Sequence, residues 1–98
     1  MKYKAFNNKQ YYLAVFNSKN HAILLYYKLE KKGYNNFLLV STPCKIKGGC
    51  SYSIKFNNLK DLEQLKVETN NYKTPIGSIY FVERKDGKNH IKEIEEII

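Results

Sequence analysis

The 98 residues predict an α+β domain of the ferredoxin-like split β-α-β type. In this order, βαββαβ, an antiparallel sheet carries its helices on one face, and a short C-terminal helix follows. Three observations predict it. Four short stretches are rich in β-branched and aromatic residues, two intervening stretches repeat apolar residues at helical spacing, and turn residues punctuate the joins. Each helical stretch has a single apolar stripe, which is buried most simply against one sheet. The length suits one domain, 1–98, with no room for a second.

Residues 11–16, Tyr-Tyr-Leu-Ala-Val-Phe, read as a strand buried partly on both faces. Asn17 and Ser18 turn the chain, and Ser18 suits the N-cap of the next helix. Ala22, Leu25, Tyr26 and Leu29 fall at i, i+3, i+4 and i+7 and form its apolar face. Lys28, Lys31 and Lys32 complement the dipole at its C-terminal end, and Gly33 stops it.

A second strand is expected at about 36–41 and a third at about 51–56, joined by a loop over 42–50. In the third, Tyr52, Ile54 and Phe56 alternate with Ser51, Ser53 and Lys55, the pattern of a strand with a core on one side only. Asn57 and Asn58 cap a second helix, with Asp61 in its first turn and Leu59, Leu62 and Leu65 on its apolar face. It ends before Asn70, because Thr74-Pro75 breaks any helix. Residues 76–83 make a fourth strand, and Lys85-Asp86-Gly87-Lys88 is a turn. The tail, about 88–98, spaces Ile91, Ile94, Ile97 and Ile98 against Glu93, Glu95 and Glu96 and reads as a short amphipathic helix. That helix would cover the open face of the sheet or join two copies in a homodimer.

The net charge of +8 is lopsided. Residues 1–60 hold eleven lysines and one acid, Glu30; residues 61–98 hold six basic and eight acidic residues. A basic half steers anionic partners, nucleic acid among them. Sixteen of the seventeen basic residues are lysine, however, and bidentate recognition of bases and phosphates favours arginine. No run reaches the roughly 18–20 apolar residues of a membrane helix, and nothing resembles a signal peptide. The expected location is the cytoplasm, where two cysteines are reduced thiols. His21 and His90 are not spaced as a ligand pair and no Cys-x-x-Cys occurs, so neither a metal nor another cofactor is expected.

The chemistry gathers in Thr42-Pro43-Cys44-Lys45-Ile46-Lys47-Gly48-Gly49-Cys50-Ser51. Gly48 and Gly49 let backbone amides turn toward a neighbouring group. With Lys45 and Lys47 beside them, those amides favour a thiolate over a thiol. A thiolate attacks sulfur donors, disulfides and electrophiles. Cys50 is the candidate reactive thiol and Cys44 its candidate resolving partner. Spacing alone leaves open whether the two form a disulfide.

Phe16-Asn17-Ser18 with Ala22, and Thr42-Pro43 with Ile46 and Cys50, resemble the selenium/sulfur carrier-like family of small bacterial domains. The resemblance covers roughly residues 11–80, within a core of about 11–83. It implies that Cys50 is the carrier thiol; Lys45, Lys47, Gly48, Gly49 and Ser18 are the candidate binding residues beside it. The chain departs from the family pattern in three places. Cys44 stands where the family has arginine, Lys47 where it has a small hydroxyl residue, and Ser51 where it has glycine. The first change removes an anion contact and leaves the thiol.

The favoured reading is a carrier rather than an enzyme: a cytosolic protein that holds sulfur or selenium on Cys50 and passes it from a donor protein to an acceptor. His21 lies beside the apolar face of the first helix and reads as structural. The alternative is a ferredoxin-like module that binds nucleic acid or another polyanion, with Tyr52 and Phe56 as a stacking surface; the RNP pattern is missing from that strand. A third reading is a regulatory domain that dimerises through the tail.

Overall fold

A computed structural model of the chain describes residues 9–43, 46 and 51–94. In chain order the elements are β1 (Gln10–Phe16), α1 (Lys19–Lys31), β2 (Leu38–Ser41), β3 (Tyr52–Phe56), α2 (Leu59–Asn71), β4 (Ile76–Lys85) and β5 (Lys88–Ile94). The class is α+β, with one five-stranded antiparallel sheet ordered β2-β3-β1-β4-β5 and two helices. The sheet therefore departs from the four-stranded ferredoxin-like arrangement by one strand.

That strand corrects the reading of the tail as a helix over 88–98, since residues 88–94 pair with β4 from Lys85↔Lys88 to Ile79↔Ile94. The cause is local turn chemistry. Asp86 (φ 53°) and Gly87 (φ 74°) both adopt positive φ, the geometry of a two-residue hairpin turn that suits the twist of its strands. Asp-Gly is the strongest short hairpin signal, and so short a helix offers little resistance to it. The described part of the tail is an edge strand, and so it neither covers the sheet nor supplies a helix for a dimer.

The core lies between the sheet and α1. Ala22, Leu25 and Leu29 of α1 and Leu65 of α2 pack with Ala14, Phe16, Ile54, Phe56 and Phe37. Tyr12 stacks on Phe56 with centroids 5.5 Å apart and tilts onto Phe81 at 5.1 Å. The expected face of α1 is thus the buried one. In α2, Leu59 is instead exposed, and Glu68 and Thr69 are buried with Leu65. Both helices end in Schellman turns: Tyr34 N–H donates to Leu29 C=O and Gly33 N–H to Glu30 C=O, as Thr74 N–H does to Thr69 C=O and Lys73 N–H to Asn70 C=O.

The other face of the sheet is buried over its middle strands. Leu13, Val15 and Val82 point away from the helices and are buried, as are Ser53 and Lys55 of β3. Alternation along β3 therefore marks two buried faces rather than one, which the serines and lysine concealed.

Candidate functional site

The sheet brings four chain segments to one end. Val15 pairs with Ser53 and Phe16 with Ile76, so the end of β1 lies beside the starts of β3 and β4; Ser41 pairs with Tyr52, which adds the end of β2. Here α1 begins. Ser18 is its N-cap, its side-chain oxygen accepting from His21 N–H at 3.4 Å. Ser18 is thus occupied as a cap, and it stands at the same end of the sheet as Thr42 and Ser51, which flank the cysteine-bearing segment in sequence.

The anchors of that loop are closely held. Thr42 N–H donates to Ser51 C=O at 3.0 Å, and the Thr42 and Ser53 hydroxyls share a buried hydrogen bond of 2.6 Å. Beyond Thr42, Ile46 N–H donates to Pro43 C=O at 2.9 Å. Ser51 Oγ is buried with no hydrogen-bond partner among the described residues. Cys44, Lys45, Lys47, Gly48, Gly49 and Cys50 lie outside the described residues, so the site is defined by the residues that flank them.

A close approach shapes the neighbouring turn. A Cβ on Gly77 would lie 2.7 Å from Asn17 Oδ1 and 3.1 Å from Val15 C=O, so a side chain at 77 collides with the turn before α1. The pairing of β1 with β4 shifts register between Val15 and Phe16, and that irregularity turns the chain toward Ser18.

Two charged groups escaped the sequence reading. Lys55 alternates with buried residues and was expected in solvent; it is 8% exposed, with Nζ 4.3 Å from the Tyr11 ring centroid, and burial lowers its pKa. Glu68 accepts from Lys32 Nζ at 2.9 and 3.0 Å and from Tyr34 OH at 3.1 Å, which ties the end of α1 to α2. The Lys32 hydrogen bond, reinforced by that of Tyr34, holds the Glu68 carboxyl below its ordinary range, and Glu68 in turn raises both partners. Lys28 and Lys32 also approach the Tyr72 ring, at 5.4 and 5.7 Å. This cluster joins the helices and lies apart from the loop. Only the i, i+3 spacing of Leu65 and Glu68 hinted that Glu68 is buried.

The aromatic surface of the polyanion reading is used otherwise. Ile54 and Phe56 are fully buried beneath the helices and Tyr52 packs against the same cluster, so β3 presents no stacking platform there. No described helix is long and apolar enough to cross a membrane.

A small α+β domain with an antiparallel sheet, in which Thr42 and Ser51 flank the cysteine-bearing segment at one end, is the class of this protein. The family model described as "Putative Se/S carrier protein-like" matches residues 11–81, and the chain belongs to that family. The match runs from β1 into β4 and leaves β5 outside it. No curated protein and no solved structure matches the chain.

Proposed function

We propose that this protein is a thiol-based sulfur or selenium carrier that works through Cys50. The observation that carries the reading is the family match over residues 11–81, within which Cys50 falls. The anchors support it: paired Thr42, Ser51 and Ser53 hold both ends of the loop at the end of the sheet where α1 begins. Lys45 and Lys47 lie close to Cys50 in sequence, and nearby positive charge favours a thiolate.

Loading is an exchange with no net change in oxidation. The Cys50 thiolate attacks the terminal sulfur of a donor persulfide, R–S–SH; a bond forms between Cys50 Sγ and that sulfur, the donor S–S bond breaks, and the donor leaves as its thiol. The selenium analogue follows the same path. Delivery reverses it when an acceptor nucleophile attacks the terminal atom and Cys50 departs as thiolate. In the absence of an acceptor, Cys44 attacks Cys50 Sγ, expels hydrosulfide and leaves a Cys44–Cys50 disulfide, which a dithiol reductant reopens.

Intact-mass measurement of the reduced protein after incubation with a low-molecular-weight persulfide tests the reading. Cys44→Ser should gain one sulfur atom, released by dithiothreitol; wild type should lose that sulfur as hydrosulfide and end as the Cys44–Cys50 disulfide, and Cys50→Ser should gain none. Equal loading of Cys50→Ser and Cys44→Ser overturns it.

A further inference from the structure

The two edges of the sheet are unlike. β5 is guarded: Lys88, His90, Lys92 and Glu93 along it are exposed, and charged edge strands resist further pairing. β2, the other edge, reads Leu-Leu-Val-Ser without a charge, and among the described residues it has a neighbour on its β3 side only. In an antiparallel ladder about half of an edge strand's N–H and C=O groups point outward. Among the described residues one edge is therefore guarded and the other unguarded, and the unguarded strand continues in sequence into Thr42 and the cysteine-bearing segment.

We infer that β2 is the docking edge for a transfer partner, which adds an extended acidic segment to the sheet as a sixth strand. This deepens the carrier reading and rests on it for the identity of the partner as donor or acceptor. Charge selects the occupant. β2 lies in the half of the chain with eleven lysines and one acid, and α1, which packs beside β2, carries Lys28 and Lys31 in its last turn. A second copy would bring another +8 to the same edge and be repelled, whereas an acidic strand is attracted. Backbone pairing supplies the contact, and side chains alternating above and below the sheet supply its selectivity. Four residues offer few such bonds, so the complex is short-lived, as a hand-over requires.

The test is amide hydrogen exchange of the full chain, read residue by residue at Leu38–Ser41. The probe is a peptide of roughly ten residues alternating glutamate with valine, at about 1 mM. The outward amides of β2 should exchange fast in the free protein and slow by about tenfold with the peptide. The same peptide N-methylated at alternate amides, and a lysine–valine peptide, should both leave them fast. Several results overturn the inference: outward amides already slow in dilute free protein, protection that rises with protein concentration without peptide, or equal protection by either control. Cys50→Ser should bind the peptide as wild type does, and persulfide loading needs no peptide. Loading without β2 protection therefore sinks the edge alone, and β2 protection without loading sinks the carrier reading alone.

Discussion

Removing the Thr42–Ser53 hydroxyl pair tests whether the loop is pinned as described. The two hydroxyls are 2.6 Å apart, and the residues are 6% and 0% exposed, so neither has water to fall back on. Thr42→Val keeps the shape and leaves the Ser53 hydroxyl buried and unpaired; Ser53→Ala does the same to Thr42. Each single change should cost about 1–3 kcal/mol, the desolvation penalty of an orphaned hydroxyl. The double variant leaves no orphan and should cost less than the sum of the two by at least about 1 kcal/mol. For a domain of this size each kcal/mol moves Tm by roughly 4–8 °C, so the singles are readily seen by circular dichroism. Guanidinium titrations would give the three free energies. Costs that simply add, or singles below about 0.5 kcal/mol, would refute the coupling. A second readout is the Thr42 amide, which donates to Ser51 C=O: its hydrogen exchange should quicken in each single variant.

Two further outcomes follow from the same geometry. Glu68→Gln should lower Tm by roughly 5 °C near neutral pH. Because Lys32 and Tyr34 hold the Glu68 carboxyl below its ordinary value, its contribution is present above about pH 4.5 and lost as pH falls through the depressed folded value. The gap between wild type and variant should therefore narrow as pH falls through that depressed value; a gap that widens as the solution is acidified contradicts the assignment. Gly77→Ala should cost about 1–3 kcal/mol through overpacking, because its Cβ meets Asn17 Oδ1 at 2.7 Å. Asn17→Ala in the same chain should recover most of that loss, and equal thermal melts for Gly77→Ala and wild type would show that the turn yields freely.

Periodicity and capping in the residues themselves determined much of this protein. Ala22, Leu25 and Leu29 could only be a buried helix face, Ser18 only its cap, and the four first strands followed from β-branched and aromatic runs. The family was legible in Phe16-Asn17-Ser18 and Thr42-Pro43 with Cys50, because a short motif is local by nature. What the tertiary structure alone decided depends on contacts distant in the chain. Ile91 and Ile94 have helical spacing, yet the Asp86-Gly87 turn delivers them to β4, where cross-strand pairing outweighs a helix too short to hold itself. Ser53 and Lys55 look solvated in sequence, yet β3 is buried on both its faces, and a polar residue reports its own chemistry rather than its neighbours. Glu68 lies 36 residues from Lys32, a separation that no local pattern encodes. The joining of Ser18, Thr42, Ser51 and Ile76 at one end of the sheet is likewise a product of strand order, set by antiparallel pairing between segments that sequence can identify but not assemble.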